Sequence, residues 1–389
     1  MRRSTGTHHT TTSAGESVRA FVPKRLPPRN PPLVLEGALA QQHTDALASL
    51  GRLAVAGAMV PSADWFLYGF VRKEAVISSQ IEGTQATFED VVTYEATRQS
   101  AQPADAIEVC NYVEALTYAR QERARRKGLP LCVRLLCEVH KRLMKGARGA
   151  EKQPGAVRRS QNWIGGTRPG NARFVPPPPQ VVPDELAALE KWLHAKDPLP
   201  PLVRAGLAHV QFETIHPFLD GNGRIGRLLI TLLCEHWGLL SGPLLYVSLA
   251  FKRHRQEYYE HLNRVRTEAD WEGWTAFFLD CVKESADDGV TVAARLQACI
   301  NDDRTRLAEH QAATVSAIRL FDRLPNHPVV TLASVMKLVA ISKPTAGKTI
   351  DALQKAGILR ETTGKRRDRV YAYRAYLDAL SGDTELPER

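Results

Sequence analysis

The chain has 389 residues, 43% hydrophobic and 24% charged, which is ordinary for a folded protein of two or three domains. The net charge of +10 favours an acidic or nucleic-acid partner, although solubility alone also explains it. No apolar run approaches the length of a membrane span, which excludes a membrane-spanning protein. No secretory segment is evident at the start, so a cytoplasmic location is expected. The six cysteines form no C-x-x-C pair and are expected to be reduced.

Helices are predicted for most of the first 144 residues. Residues 1–20 are rich in Ser, Thr and His, and we expect a disordered tail there, followed by a Pro-rich entry. Apolar residues recur at helical spacing over 37–99, and further helices are predicted over 104–126 and 131–144.

A short motif lies inside the first helical stretch. Ser78 and Glu82 are four residues apart, so they share one helix face, and Gly83 is a natural helix stop. The residues alone indicate nothing more than an exposed glutamate near a helix end.

Residues 145–183 interrupt the helical pattern with Gly, Pro, Asn and Arg. Two short extended stretches, 162–167 and 172–177, flank a Gly/Pro turn. The residues fit a β-hairpin and a long surface loop about equally well. Helices are then predicted over 185–194, with Asp184 as N-cap, and over 203–214.

The most informative run follows this last helix and reads HPFLDGNGRIGR, from His216 to Arg227. Gly221 and Gly223 lack Cβ atoms, so their backbone can approach a ligand closely. A helix predicted over 224–237 begins in this run, and the N–H groups and dipole at a helix start attract anions. Asn222 adds a side-chain donor.

The charged side chains of this run suit phosphate chemistry. Arg224 and Arg227 carry planar, permanently charged groups that match phosphate oxygens. Asp220 offers hard oxygen for Mg²⁺ shared with substrate phosphates. His216 titrates near neutrality and is the candidate general base. A lone histidine would be interpreted as a core residue, but this combination indicates a site that moves a phosphate-bearing group.

This run resembles the signature of the Fic (Fic/Doc) family, H-P-F-x-[DE]-G-N-[GK]-R-x-x-R, and meets every specified position. The resemblance implies an α-helical fold that transfers AMP from ATP, with Mg²⁺, to a Ser, Thr or Tyr hydroxyl of a target protein. By the same resemblance His216 is the base and Asp220 the metal ligand. The residues implied to bind ATP are Gly221, Asn222, Gly223, Arg224, Ile225, Gly226 and Arg227.

The resemblance also extends to three other segments. Ser78-x-x-x-Glu82-Gly83 matches the inhibitory pattern [ST]-x-x-x-E-[GN], which implies that Glu82 pairs with Arg227 and takes the space of the ATP γ-phosphate. The stretches around 162–177 resemble the flap that aligns the target. Residues 251–259 resemble the segment that reaches adenine, which makes Tyr258 or Tyr259 a stacking candidate, with one of the pair facing the core.

Helices are next predicted over 256–265 and from Trp271 to the region of Gln297, and a small module ends the chain. Two short helices, 331–339 and 345–356, precede a strand pair with a basic tip, an order that resembles a winged helix. The candidate DNA contacts are Thr345, Lys348, Lys365, Arg366, Arg367 and Arg369. Such modules also serve as docking or dimer modules, and a basic tip is often only solvated.

The sequence therefore predicts a mainly α fold: a Fic-type helical core with a small β-hairpin flap, an N-terminal helical domain and a C-terminal winged helix (α+β). The predicted boundaries are a tail (1–20), an N-terminal helical domain (21–125), a Fic core (126–285), a helical linker (286–322), a winged helix (323–380) and a tail (381–389).

The function predicted is that of a self-inhibited protein adenylyltransferase. A Fic enzyme that removes AMP or transfers another phospho-group is the first alternative. A nucleotide-sensing DNA-binding regulator is the second. Self-modification and a homodimer are left open by the sequence.

Overall fold

The computed structural model describes residues 3–59, 63–99, 103–311 and 313–385. The elements of the N-terminal third are β1 (Gly6–Ser13), β2 (Glu16–Pro23), α1 (Gly37–Met59), α2 (Ala63–Ile81), α3 (Phe88–Thr97), α4 (Pro103–Ala124) and α5 (Val133–Leu143). The middle of the chain contains α6 (Val182–His194), α7 (Pro201–Ile215), α8 (Asn222–His236), α9 (Ser248–Arg253), α10 (Arg255–Glu268) and α11 (Trp271–Glu309). The remaining elements are α12 (Val315–Phe321), β3 (Val329–Thr331), α13 (Leu332–Val339), α14 (Lys343–Lys355), β4 (Arg360–Glu361), β5 (Val370–Ala372) and α15 (Arg374–Ser381).

The chain divides into two compact units. The first consists of Met1–Gly51, Asn111–Pro243 and Val247–Ala286, and the second of Arg52–Cys110, Leu244–Tyr246 and Asp287–Arg389. Among the described residues, no helix is both long and apolar enough to cross a membrane.

Helices α7 and α8 form the centre of the first unit. Every residue of α7 from Leu202 to Ile215 is buried, as are most residues of α8. A helix that is buried on all sides needs mostly small or apolar residues around its circumference, and most of the α7 run LVRAGLAHVQF is of this kind. Its buried Arg204 and His209 have hydrogen-bond partners. The loop between these two rigid helices is the predicted phosphate-handling run, so its ends are held firmly.

The expectation of a disordered tail over residues 1–20 is wrong for most of that segment. Strands β1 and β2 pair antiparallel from Gly6↔Pro23 to Ser13↔Glu16. The turn residues Ala14 and Gly15 both have positive φ, as a two-residue hairpin requires. Composition misled the prediction because threonine is polar but β-branched and favours strands. The hairpin is anchored by the buried side chains of Val18, Ala20 and Phe21.

Helix α6 begins earlier than predicted. Its N-cap is Val181 rather than Asp184, with Pro183 in the first turn. Proline is favoured there because the first N–H groups of a helix have no intrahelical acceptor. Asp184 instead lies in the first turn, where its charge complements the helix dipole.

The second unit ends in a small module with the predicted elements. Thr331 caps α13 through a reciprocal pair of hydrogen bonds with Ser334, and Ala340 ends that helix in the left-handed conformation. The two predicted helices are present as α13 and α14. Strands β3, β5 and β4 form an antiparallel sheet in that order, so the predicted hairpin is present as β4 and β5.

Candidate active site

His216 lies in the left-handed region, at φ 50° and ψ 62°, as the residue that ends α7. Its N–H closes the helix by donating to the Phe212 carbonyl oxygen at 2.9 Å. Such a conformation costs a non-glycine residue about 1–3 kcal/mol and is often found at active sites. The His216 Nδ1 atom lies 4.0 Å from a carboxylate oxygen of Glu213, one helical turn earlier. The predicted base is therefore held at a helix end beside a buried acid.

Arg158 holds the backbone of the same residue from the other side. Its Nε donates to the His216 carbonyl oxygen at 2.9 Å, and its main-chain N–H donates to the Pro217 carbonyl oxygen at 2.9 Å. Its Nη2 donates to the Pro177 carbonyl oxygen at 2.5 Å. Burial lowers the pKa of this guanidinium to about 10. This role could not be predicted from the sequence, because Arg158 and Arg159 are adjacent and of the same residue type.

The side chain of Asn222 closes the loop onto Phe218. Its Oδ1 accepts from the Phe218 N–H, and its Nδ2 donates to the Phe218 carbonyl oxygen, both at 2.8 Å. Asn222 is 2% exposed. These two bonds fix the shape of the loop, and the predicted contact of Asn222 with phosphate remains a prediction.

His140 of α5 contacts the loop and holds it in place. Its ring stacks on Phe218 with centroids 3.9 Å apart, its Nδ1 accepts from the Gly155 N–H at 2.8 Å, and its Nε2 lies 3.0 Å from the Asp220 carbonyl oxygen. Since Nδ1 accepts, Nε2 carries the proton and donates to Asp220. Burial lowers the pKa of His140 to about 4, which keeps the ring neutral. Sequence analysis missed this residue, which precedes the run by many positions.

The start of α8 is shaped for an anion. Gly221 adopts φ +76° just before the helix, and Gly223 is partly exposed in its first turn. A Cβ on Gly226 would lie 2.4 Å from the Glu213 carboxylate, so glycine lets α8 approach α7 closely. The first N–H groups of a helix have no intrahelical acceptor and point outward at this end.

Two buried arginines flank this helix start. Arg224 and Arg227 are 2% and 1% exposed, and Arg224 lies 3.6 Å from a carboxylate oxygen of Asp220. The Arg227 charge, together with the larger effect of burial, lowers the pKa of His209 to about 3. Ile225 is fully buried, so only its backbone can serve a ligand.

Asp220 has the exposure that a metal ligand shared with a substrate requires. Its side chain is 42% exposed, and its Oδ1 accepts from the Gly221 N–H at 2.5 Å. Among the described residues, no group of three or more His, Cys, Asp or Glu side chains could hold a metal. A single exposed carboxylate fits Mg²⁺, which takes one or two protein oxygens and completes its shell with phosphates and water.

The predicted flap contains a single strand bridge rather than a full β-hairpin. Ile164 and Phe174 make a single antiparallel bridge, with N–H···O distances of 2.8 and 3.2 Å. Phe21 of β2 donates its N–H to the Val175 carbonyl oxygen at 2.9 Å, so the N-terminal hairpin lies beside the flap. Trp163 is 36% exposed.

Tyr258 is the member of the tyrosine pair that faces the core. It is 1% exposed, its hydroxyl lies 2.9 Å from His209 Nε2, and its ring stacks on Phe251. Tyr259 is 45% exposed. The prediction of one inward ring is thus confirmed, and Tyr259 remains the candidate for adenine.

Comparisons with known proteins agree with this geometry. The family described as "Fic/DOC family N-terminal" matches residues 40–121, and the one described as "Fic/DOC family" matches residues 130–234. The chain carries Fic/DOC family domains.

Curated relatives match over part of their length. Protein adenylyltransferase Fic of Culex quinquefasciatus is 32% identical over 154 residues, which are 39% of this chain and 28% of the relative. The Nematostella vectensis protein of the same name is 30% identical over 182 residues, 46% of this chain and 39% of the relative. The chain thus spans well under half the length of these two relatives.

A solved structure supports the fold. A Fic family protein from Desulfovibrio desulfuricans superposes with a TM-score of 0.57 at 22% identity, over 88% of this chain and 98% of that one. The mainly helical Fic fold predicted from the sequence is confirmed.

The predicted inhibitory motif lies at the end of α2 in the second unit. Helix α2 ends at Ile81, the Glu82 N–H donates to the Ser79 carbonyl oxygen at 3.0 Å, and Gly83 has φ +95°. Ser78 is fully buried, and Glu82 is partly exposed. The predicted helix stop is confirmed; the pairing of Glu82 with Arg227 remains a prediction.

Proposed function

We propose that this chain is a self-inhibited protein adenylyltransferase, which transfers AMP from ATP to a hydroxyl of a target protein. The observation that carries the proposal is the position of His216. It is held at the end of α7 by Arg158, and the loop that follows leads directly into α8, whose first two turns carry two buried arginines. A base beside an anion-binding helix start is the arrangement that phosphoryl chemistry needs.

In the proposed reaction, His216 takes the proton of the target hydroxyl as its oxygen attacks the α-phosphorus of ATP. A bond forms between that oxygen and phosphorus, the α–β anhydride bond breaks, and pyrophosphate leaves. The α8 N–H groups and Arg224 stabilise the charge that develops on the phosphate oxygens, and Arg227 acts at the γ-phosphate end. Asp220 would hold Mg²⁺, which neutralises phosphate charge when bound.

The flap suits a protein substrate. A segment with one short bridge, Ile164 to Phe174, leaves backbone groups for an added strand. Strand addition would present a hydroxyl of an extended target segment to His216. Self-modification is a special case of this reaction, and a homodimer would bring it about between copies.

Glu82 is proposed as the brake. Its carboxylate would pair with Arg227 and occupy the γ-phosphate space. Separating a buried carboxylate–guanidinium pair from one side costs about 3–5 kcal/mol, which disfavours productive ATP binding without forbidding it. The support is the match to the inhibitory pattern and the left-handed Gly83 that ends the segment.

The test is transfer of label from [α-³²P]ATP to the chain itself and to proteins of a cell extract. Glu82→Gly should label strongly, and His216→Ala in the same background should not label. Mass spectrometry should find an added AMP. Tight ATP binding by folded Glu82→Gly without any adduct would instead establish a nucleotide sensor. AMP removal from a labelled target by the unaltered chain would favour the alternative Fic reaction, for which Glu82 is also the expected residue.

A second function is proposed for the C-terminal module, which we interpret as a winged helix that binds duplex DNA. The side chains of Lys348, Lys365, Arg366, Arg367 and Arg369 are all exposed, and Thr345 is partly exposed. Lys348 and Thr345 lie on α14, and the other four residues lie at the β4–β5 tip. These are the two places from which such modules contact DNA. Binding that weakens steeply with salt would support this function.

A further inference from the structure

A cavity of about 560 Å³ lies in the first unit between the N-terminal hairpin, the flap and α10. Its wall includes Phe21 of β2 and Phe174 of the flap, whose rings meet edge to face at 6.2 Å. The cavity exists only because residues 6–23 fold into a hairpin, which the sequence did not predict.

The charge of this cavity has one sign. Arg19, Arg173 and Arg266 line it, together with His8, and no aspartate or glutamate is among the described residues that do so. Glu16, the nearest acid on β2, is turned to the flap tip, where it accepts from Arg168 and from the Gly170 N–H. Three guanidinium groups without a lining carboxylate favour an anion strongly.

Arg266 is built into the site. Its hydrogen bonds go to neutral oxygens, the Thr214 hydroxyl at 3.2 Å and the Glu213 carbonyl at 3.3 Å, and it lies 4.0 Å over the Phe174 ring. Burial lowers the pKa of its guanidinium to about 10, and the charge of the Glu213 carboxylate opposes only part of this effect, so the position is costly for a cation. An anion in the cavity would offset part of that cost.

The same contacts locate the cavity beside the base. Glu213 and Thr214 belong to the last turn of α7, which ends at His216, so Arg266, which lines the cavity, contacts this helix within about one turn, roughly 5 Å, of the base. Phe174 belongs to the flap bridge. A segment added along the flap would therefore pass the cavity on its way to His216.

We infer that the cavity binds an acidic side chain of the target protein, and so selects hydroxyls that lie near an aspartate or glutamate. This inference rests on the proposed AMP transfer. Since an extended chain advances about 3.3 Å per residue, the acidic residue lies roughly two to four positions from the modified hydroxyl.

The test uses full-length Glu82→Gly and extended peptides that differ only by Glu or Gln at positions two to four from one Ser or Tyr. The Glu peptides should be modified with a kcat/KM about tenfold higher, as expected for one charged hydrogen bond. Arg19→Gln and Arg173→Gln should remove that preference and leave the KM for ATP unchanged. Arg159→Gln is the control, because Arg159 is an exposed arginine of the first unit that does not line the cavity.

Equal rates for Glu and Gln peptides would overturn the inference and leave AMP transfer standing. A raised KM for ATP in Arg173→Gln would assign the cavity to the nucleotide and also overturn it. If neither peptide nor chain is modified, AMP transfer fails, and anisotropy of the same labelled peptides decides the cavity: tighter binding of Glu peptides, lost in Arg173→Gln, supports it, and equal binding refutes it.

Discussion

Arg158 donates from its Nε to the carbonyl oxygen of His216 at 2.9 Å, and it is 1% exposed. Its other guanidinium donors reach the carbonyl oxygens of Pro177 and Ser160, and its main-chain N–H donates to the Pro217 carbonyl oxygen. One side chain therefore joins the backbone of the base to the end of the flap. A buried charge used only for backbone carbonyls is expensive, so its removal should be felt in both stability and chemistry.

Arg158→Ala should lower the free energy of unfolding by about 3 kcal/mol, since several buried carbonyls lose their donor. Arg158→Lys should retain the charge but not the several donors of the planar guanidinium. The rate of AMP transfer should fall about a hundredfold, because His216 would be misplaced. Urea unfolding and labelled transfer measure the two effects. Arg159→Ala is the control, because Arg159 is exposed; an equal loss in that variant would contradict the role of Arg158.

Two buried histidines should make the protein sensitive to mild acid. Burial lowers the pKa of His140 to about 4 and of His209 to about 3, from 6.5 in an unfolded chain. A lowered histidine pKa gives stability that is complete above pH 6.5 and is lost as the pH falls towards the folded values. Between pH 7 and pH 5 each should cost roughly 2 kcal/mol.

Denaturant unfolding at the two pH values measures this loss. His140→Gln and His209→Gln should each reduce the difference between pH 7 and pH 5, whereas the exposed His8→Gln should not. An unchanged pH dependence in both buried variants would show that other groups titrate in this window.

The amide of Asn222 should be needed for the shape of the loop. Asn222→Ala removes both hydrogen bonds to Phe218 and should cost about 1–3 kcal/mol of stability. Asn222→Asp keeps the acceptor and loses the donor, so it separates the two bonds. Asn162→Ala is a graded control, because Asn162 donates to the same Phe218 carbonyl oxygen at 3.1 Å. If Asn222→Ala raised only the KM for ATP at unchanged stability, the amide would serve the nucleotide instead.

Much of the central architecture could be predicted because its determinants are local. The run from His216 to Arg227 carries its own turn, helix start and charges, and the helices around it have clear apolar periodicity. Gly83 marked a helix end that the structure confirms.

The residues that support the site could not be predicted, because they act from a distance. His140 and Arg158 contact the loop from far along the chain, and only folding reveals the pairing. Arg266 reaches the end of α7 from α10 in the same way. The prediction for the N-terminal segment was wrong for another reason. The strands of the hairpin are polar on their exposed face, so their composition resembles that of a disordered segment. Their threonines and the two-residue turn nevertheless favour a sheet.

The two tyrosines of α10 should have separable effects. Tyr258→Phe removes the hydroxyl that faces His209 and should cost about 1 kcal/mol of stability with no change in the KM for ATP. Tyr259→Ala should raise that KM about tenfold, because stacking on a base contributes about 1–3 kcal/mol. Steady-state transfer in the Glu82→Gly background measures both. A normal KM in Tyr259→Ala would move adenine recognition elsewhere.

The basic tip of the β4–β5 hairpin should account for DNA binding by the C-terminal module. Replacing Lys365, Arg366 and Arg367 together by Ala removes three exposed cations and should lower the slope of log K against log salt by about 3 if each contacts a phosphate. Anisotropy of a short labelled duplex over a salt series gives this slope. The chain provides a matched control in Arg125, Arg126 and Lys127, three consecutive exposed basic residues of the first unit. An equal loss in both triple variants would reveal attraction by net charge alone, and no binding by the unaltered chain at low salt would refute the DNA interaction.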